Sequence, residues 1–172
     1  MLHPIYKGTY ECNAGLAVGH HTRESVTWWV SEVRRSVDYL ESRPDIDAER
    51  IACVGHSWGA RLASIVLALE PRLRAAVLYI GGYHLVPRSP EIDDFNYTSR
   101  VKAPVLMING RYDFVFPFES SANQMFLRLG TLREQKRLVL TDSGHDVMTF
   151  RGIVTRETLD WFDRHLGPVK LK

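Results

Sequence analysis

The sequence predicts an α/β fold in which a mostly parallel sheet of about five strands is flanked by helices. Short apolar runs of strand length alternate along the chain with longer stretches whose apolar residues recur at helical spacing. Strands that alternate with helices form right-handed βαβ units, and the resulting parallel sheet is covered on both faces. One apolar run, residues 51–54, also leads directly through a glycine-flanked serine into a helix. That junction carries the candidate chemistry of the chain.

The N-terminal elements follow from local patterns. Residues 3–7 are predicted to form the tail of a strand, and a glycine-containing loop follows them. A helix is predicted over residues 24–42 because its apolar side chains lie on one face, and Pro44 marks its end. The apolar positions of this face are Val26, Trp29, Val33, Val37 and Leu40.

The second half of the chain continues the alternation. The strand at 51–55 and the helix that begins at the glycine-flanked serine come first, and Pro71 ends that helix. Gly130 is expected to be the left-handed residue that ends a helix, and Gly167 with Pro168 is expected to end the last one. The remaining predicted elements are a strand at 75–80, a polar loop at 83–102, strands at 104–108 and 137–140, and helices at 118–129 and 155–166.

Length and composition bound the class of protein. A chain of 172 residues with 45% hydrophobic and 24% charged residues is expected to form a single domain, residues 1–172. The net charge of +2 is too small to indicate a nucleic-acid or membrane partner. No segment has the length of a membrane-spanning helix, and the N-terminus lacks the apolar core of a signal peptide. Two cysteines, Cys12 and Cys53, do not make a disulfide framework, so we expect a cytoplasmic protein.

The glycine-flanked serine has the pattern of a nucleophile elbow. The segment 55–59 reads Gly-His-Ser-Trp-Gly, with an apolar strand before it and a helix after it. In such an elbow the serine occupies a strained turn, and small neighbours let the strand and the helix cross closely. Gly55 and Gly59 are expected to supply this space. Ser57 is therefore the candidate nucleophile.

A serine needs a base to take its proton and a third group to orient that base. Asp113 follows the predicted strand at 104–108, and His145 follows the last predicted strand. Because active sites of open parallel sheets lie at the carboxyl ends of the strands, Ser57, Asp113 and His145 are expected to converge there. Asp142 and Asp146 flank the histidine and are alternative acids, although sequence neighbours rarely reach a histidine Nδ1 in a usable geometry.

Other candidate groups are given structural interpretations. His56 is expected to pack beside the site rather than react. His20 and His21 resemble a metal-binding pair, but a third ligand is missing nearby, so a solvated loop is the better interpretation. Trp28 and Trp29 are expected to pack in the core and on the helix surface. The sequence therefore implies no metal ion and no organic cofactor.

Five segments together resemble one family. They are Pro-Ile-Tyr-Lys-Gly-Thr-Tyr-Glu at 4–11, Arg-Ser-Val-Asp-Tyr-Leu at 35–40 with Arg-Pro-Asp-Ile-Asp at 43–47, His-Ser-Trp-Gly at 56–59, and Leu-Met-Ile-Asn-Gly-Arg-Tyr-Asp at 106–113. The chain resembles the dienelactone-hydrolase-like and prolyl-oligopeptidase-like branch of the α/β-hydrolases, and more narrowly the hydrolase domains fused to bacterial serine/threonine kinases. The resemblance implies an esterase-type triad of Ser57, Asp113 and His145. True dienelactone hydrolases use cysteine as the nucleophile, whereas this chain has serine.

The same resemblance implies a minimal, N-terminally truncated fold. The segment 4–9 resembles the end of the family's fourth strand, so the first three strands would lie upstream of Met1. The loop after the third strand normally supplies one of two oxyanion donors, and the other is the backbone N–H of Trp58. Loss of one donor costs about a hundred- to a thousandfold in kcat. Tyr6, Lys7 or the glycine-rich loop after them could replace it.

The predicted function is hydrolysis of carboxylic esters. The loop at 83–102 is too short for a large cap, which favours small, short-acyl substrates. The same triad also serves peptidases and acyltransferases, and a non-catalytic interaction module is a further alternative. Because the strand at 51–55 loses its expected neighbour, it is expected to lie at a sheet edge or to pair with residues 3–7. Either arrangement predicts a homo-oligomer.

Overall fold

The computed structural model describes residues 1–7, 23–86 and 88–169, and it confirms the predicted α/β fold. Four strands in these ranges form one parallel sheet in the order β1-β2-β3-β4. The continuous run of buried residues in the two middle strands explains why their sequences are apolar without alternation. The strands are β1 (Ala52–His56), β2 (Ala75–Tyr79), β3 (Val105–Gly110) and β4 (Lys136–Thr141).

Helices cover both faces of the sheet. The face that presents Leu78 and Met107 packs against the first, second and fourth helices, whereas the face of Val77 and Ile108 packs against the last helix through Trp161. The helices are α1 (Arg23–Glu41), α2 (Trp58–Leu69), α3 (Phe95–Thr98), α4 (Asn123–Arg128) and α5 (Arg151–Leu166). Among the described residues, no helix combines the length and the apolarity needed to cross a membrane.

The expected strand at residues 3–7 is wrong. The backbone of residues 1–6 has no regular secondary structure, so the described sheet has four strands rather than about five. Residue 7 instead docks on α1, where the Lys7 N–H donates to the Glu32 carboxylate and the Trp29 Nε1–H donates to the Lys7 carbonyl at 3.0 Å. At Lys7, the backbone groups therefore bond to helix side chains and not to a neighbouring strand.

Strand β1 lies at one edge of the described sheet. It pairs with β2 in parallel register, from Ala52 opposite Ala75 to His56 opposite Tyr79. Within the ranges that the structure covers, no strand lies along its other side. Val54 is 50% exposed on this strand. Of the two expected outcomes for this strand, the structure therefore shows the edge.

Two helices differ from the prediction in their boundaries. The last helix, α5, begins at Arg151 rather than at residue 155. The helix expected at 118–129 begins as a π-type turn over Phe118–Ala122 and ends at Arg128. Gly130 does not have a positive φ, so it is not a left-handed cap. It must be glycine for another reason, because a Cβ there would lie 2.0 Å from the Ser99 carbonyl oxygen. Gly167 does end α5 with a φ of 80°, as expected.

Candidate active site

The turn between β1 and α2 has the strained backbone of a nucleophile elbow. Ser57 has φ 51° and ψ −111°, a region that non-glycine residues rarely occupy. Its N–H donates to the Tyr79 carbonyl at 2.8 Å, and its carbonyl accepts from the Arg61 N–H at 3.1 Å. The turn is thus held on one side by β2 and on the other by the first turn of α2.

The space for this turn comes from Gly55 and not from Gly59. A Cβ on Gly55 would lie 2.6 Å from the Ala60 Cα and 2.8 Å from the Ala60 nitrogen, both backbone atoms that cannot move aside. A Cβ on Gly59 would meet nothing within 4 Å. The expectation that both glycines are sterically required is therefore wrong for Gly59. On the far side of the elbow, Gly81 is also needed, since a Cβ there would lie 2.8 Å from the Ala60 Cβ.

Ser57, His145 and Asp113 form one hydrogen-bond chain. Ser57 Oγ lies 2.7 Å from His145 Nε2, and His145 Nδ1 lies 2.8 Å from Asp113 Oδ2 and 3.0 Å from Asp113 Oδ1. A carboxylate can only accept, so Nδ1 carries the proton and Nε2 of the neutral ring accepts from the Ser57 hydroxyl. The structure brings together the three side chains that the sequence proposed.

Asp113 is held rigidly beneath the histidine. Its side chain is fully buried, and Oδ1 also accepts the backbone N–H of Val115 at 2.8 Å and of Phe116 at 2.9 Å. These bonds satisfy a buried charge and set the direction in which the carboxylate faces the imidazole. Asp113 lies in the turn that follows β3, where its N–H donates to the Gly110 carbonyl at 3.3 Å.

The two alternative acids make other contacts. Asp142 lies 3.1 Å from the Arg111 guanidinium and is exposed to solvent. Asp146 accepts the Met148 N–H at 2.8 Å, at the start of the short turn that precedes α5. Neither carboxylate bonds to the imidazole, whereas both oxygens of Asp113 contact Nδ1.

A second strained residue supports the elbow, and sequence reasoning missed it. Ile80, directly after β2, has φ 44°, which is rare for a β-branched residue. Its N–H donates to the Ile108 carbonyl at 2.8 Å, and Asn109 Nδ2 donates to the next carbonyl, that of Gly81, at 2.8 Å. These bonds hold residues 80–81 on β3, and Gly81 lies close to Ala60 in the first turn of α2. The Gly-Gly pair at 81–82 was the one signal of this turn.

A buried ion pair fixes the β2–β3 connection to α2. Arg61, one turn after Ser57, donates from Nε at 3.0 Å and from Nη2 at 2.6 Å to Asp94 Oδ1. Both side chains are almost fully buried. Arg88 lies near the pair. Its own burial is the larger cause, and the positive charge of Arg61 the smaller cause, of a lowered pKa of the Arg88 guanidinium. The residue types alone carry no signal for this pairing, because the partners are 33 positions apart.

The candidate oxyanion residues lie in different surroundings. Trp58 is the first residue of α2, so its N–H lies at the helix N-terminus beside Ser57, and its indole packs edge-on against Trp29 at 4.8 Å between ring centroids. The Lys7 N–H donates to Glu32, and its ammonium lies 3.8 Å from the centre of the Trp28 ring. Burial raises the pKa of the Tyr6 phenol, with smaller contributions from Cys53 and Glu32. The glycine-rich loop after Lys7 falls outside the described residues.

The expectations for metal and thiol groups have separate outcomes. His20 and His21 lie outside the described residues. Within the described ranges, no group of three or more metal-ligating side chains is gathered in one place. Cys53 is a free thiol on β1, and burial raises its pKa to about 11. Such a thiol remains protonated at neutral pH and is a poor nucleophile.

An open depression of about 600 Å³ lies beside the histidine. It is formed by the loops after β3 and β4, and its lining includes Phe114, Asp142, Gly144, His145, Asp146 and Thr149. A smaller depression of about 250 Å³ lies on the β2–β3 connection, between Tyr83, Leu85 and Phe95. The described residues of that connection contain one short helix, α3, in place of a large cap.

Comparison with known proteins identifies the family. Residues 5–135 match the model of the dienelactone hydrolase family, which is more than half of the chain. The chain therefore belongs to the dienelactone hydrolase family. Its sheet, flanking helices and elbow are those of an α/β-hydrolase.

Three relatives show what share of a related protein's length this chain matches. A cold-adapted esterase from an Arctic intertidal metagenomic library, solved in a zinc-bound form, is 21% identical in sequence, with a TM-score of 0.65. The match covers 83% of this chain and 60% of the esterase chain. Esterase Pf2001 of Pyrococcus furiosus is 20% identical with a TM-score of 0.68 and covers 80% of this chain and 62% of its own. A Bacillus subtilis (strain 168) protein named uncharacterized peptidase YuxL is 25% identical over 78% of this chain and 25% of its own. The chain thus spans about three fifths of the solved esterases.

Proposed function

We propose that this protein is a serine hydrolase that cleaves carboxylic esters with short acyl groups. The observation that carries the proposal is the continuous hydrogen-bond chain from Ser57 Oγ through His145 to Asp113. Membership of a hydrolase family supports the general class of activity. Peptidases and acyltransferases can use the same three residues. Whether this protein cleaves esters therefore depends on the substrate that it accepts.

The three side chains have distinct roles in the proposed reaction. As Ser57 Oγ attacks the ester carbonyl, its proton passes to His145 Nε2. Asp113 keeps the imidazole in the tautomer that can accept this proton, and it stabilises the imidazolium that forms. The buried position of Asp113 and its two backbone donors hold that geometry before the substrate arrives.

The oxyanion formed in the first step needs backbone donors. The Trp58 N–H has the position for one donor, because it follows the nucleophile at the start of α2. Tyr6 stays a candidate for the second donor. The Lys7 N–H is engaged by Glu32, which argues against it. With a single effective donor, the turnover number would be about a hundred- to a thousandfold below that of a complete site.

A panel of p-nitrophenyl esters from acetyl to dodecanoyl tests the proposal. We expect hydrolysis that is fastest for acetyl to butyryl chains, because α3 is too short to enclose a long chain. Ser57→Ala should lower kcat at least about a thousandfold and should abolish labelling by a fluorophosphonate probe.

An aminoacyl p-nitroanilide and the fluorophosphonate probe, used beside the ester panel, separate two of the alternatives. Faster cleavage of an aminoacyl p-nitroanilide than of the esters would favour a peptidase. Absence of both activities and of probe labelling in the wild-type protein would favour a non-catalytic interaction module.

A further inference from the structure

The depression beside His145 borders one end of the candidate triad, the histidine. Its lining comes from the loop after β3 and the loop that carries the histidine, and neither Ser57 nor Trp58 contributes to it. The depression therefore borders the proposed base, His145, and its lining does not include the proposed nucleophile or oxyanion donor. A group that occupies it contacts the histidine rather than the elbow.

Phe114 forms the apolar wall of this space. It is 81% exposed, although it follows a fully buried aspartate side chain and its neighbour Phe116 is almost fully buried. The ring centroid of Phe114 lies 6.4 Å from that of His145, and the centroid of Phe116 lies 5.8 Å from it. Phe116 therefore supports the imidazole from within the fold, while Phe114 presents its ring to the depression and to solvent.

The proposed reaction places the leaving group on the side of the histidine. A bond forms between Ser57 Oγ and the carbonyl carbon, and the bond from that carbon to the alcohol oxygen breaks. The proton taken from Ser57 moves from His145 Nε2 to the departing alcohol oxygen, and water later releases the acid by the reverse sequence. Since the imidazole must reach that oxygen, the alcohol part of the ester lies beside His145.

We propose that the depression is the leaving-group subsite, in which Phe114 contacts an aromatic alcohol portion of the ester. This inference rests on the proposed function and names its substrate class. Offset or edge-on contact between two aromatic rings is favourable beyond the area that it buries. The open space of about 600 Å³ accommodates a single ring without a cap.

The charges around the depression favour a neutral alcohol portion over an anionic one. Asp142 and Asp146 both contribute to the lining. Arg111 pairs with Asp142, whereas Asp146 accepts the Met148 N–H. One negative charge is thus in excess among these three side chains, and it disfavours an anionic group on the aromatic ring of the substrate's alcohol portion.

Phe114→Ala tests the aromatic contact on two esters whose alcohols have similar acidity, benzyl acetate and ethyl acetate. We expect kcat/KM for benzyl acetate to fall about 5- to 10-fold, the size of a lost aromatic pair, and that for ethyl acetate to fall less than about twofold. Phe114→Tyr should retain the preference for benzyl acetate. Tyr112→Ala is the matched control, because Tyr112 is also an exposed aromatic residue, at 67%, but does not line the depression.

The charge is tested with two acetate esters of 4-(hydroxymethyl)benzoic acid, one with the free carboxylate and one with its methyl ester. Asp146→Asn should raise the relative kcat/KM of the carboxylate substrate about threefold, a modest effect because the side chain is exposed and screened. The amide oxygen of asparagine can still accept the Met148 N–H. Asp163→Asn removes the same charge on α5, about 18 Å along that helix from its first residue, Arg151, and should leave the ratio unchanged.

The outcomes separate this inference from the proposed function. Equal losses on benzyl and ethyl acetate in Phe114→Ala, or no loss on either, would overturn the subsite while Ser57-dependent hydrolysis remains. If the wild-type protein hydrolyses neither ester, the proposed function fails and the subsite fails with it.

Discussion

At the scale of single residues, the site depends on a few side chains that are held in place by several bonds each. Ser57 and Ile80 both have a positive φ, and each is fixed by an N–H bond to a neighbouring strand or its extension. Asp113 makes two backbone bonds in addition to its contact with His145. Such strain and over-determination are common where a protein positions reactive groups. The roles assigned to these residues can be tested one by one.

Asp113→Asn is expected to lower kcat by about four orders of magnitude, because an amide in this position favours the wrong imidazole tautomer. The fold should survive, since the amide oxygen can still accept the N–H bonds of Val115 and Phe116. Steady-state kinetics together with a thermal unfolding curve measure both effects.

Asp142→Asn and Asp146→Asn serve as controls for that substitution. Both carboxylates flank the histidine in the sequence but contact Arg111 and Met148 instead. Each change is expected to alter kcat on p-nitrophenyl acetate less than about tenfold. A larger loss in either variant than in Asp113→Asn would show that the acid has been misassigned.

At the scale of secondary-structure elements, the close crossing of β1 and α2 decides where Ser57 points. The crossing brings Gly55 against the backbone of Ala60, and Gly81, just after β2, contacts the Ala60 side chain. The buried Arg61–Asp94 pair then holds the β2–β3 connection over the same helix. The elbow is therefore packed on two sides by parts of the chain that are distant in sequence.

Gly55→Ala is expected to destabilise the protein by about 1–3 kcal/mol, because the new methyl group overlaps backbone atoms that cannot yield. The matching decrease in Tm is roughly 3–10 °C for a chain of this size. Gly59→Ala is the control, since its added methyl group meets no neighbour and alanine has the higher helix propensity. Equal destabilisation by the two substitutions would contradict this account of the elbow.

At the scale of the whole molecule, the described sheet ends in a strand whose sequence is suited to burial. Strand β1 has no neighbour on its outer side among the described residues, and Val54 is half exposed there. The chain spans about three fifths of the solved esterases that it resembles in fold. An exposed edge of this kind pairs readily with another strand. We propose that a second copy of the chain covers it.

Light scattering coupled to size-exclusion chromatography tests this proposal by measuring the molar mass in solution. We expect a mass of at least twice the 19.7 kDa of the monomer. Val54→Lys should shift the protein toward monomer, because a charged side chain at an edge opposes strand pairing. Leu159→Lys on α5, where the residue is also exposed, should leave the mass unchanged. A wild-type monomer with full esterase activity at nanomolar concentration would refute the proposal.

The sequence by itself determined the features that depend on local order along the chain. Helical and strand periodicities located α1, β1, β2 and β3 to within a few residues, since each pattern needs neighbours within one element. The elbow motif located the turn at Ser57, and the rule that parallel strands share a carboxyl edge grouped it with Asp113 and His145.

Only the tertiary structure decided the features that depend on contacts between distant segments. Residues 3–7 are predicted from the sequence to be the tail of a strand, but the Lys7 N–H and carbonyl bond to the side chains of Glu32 and Trp29 on α1. Gly130 is required by Ser99, across a contact that no local rule encodes. The Arg61–Asp94 pair joins residues on different elements in the same way. A periodic pattern reports which face of an element is buried, whereas the identity of the group that buries it is set by how the elements pack.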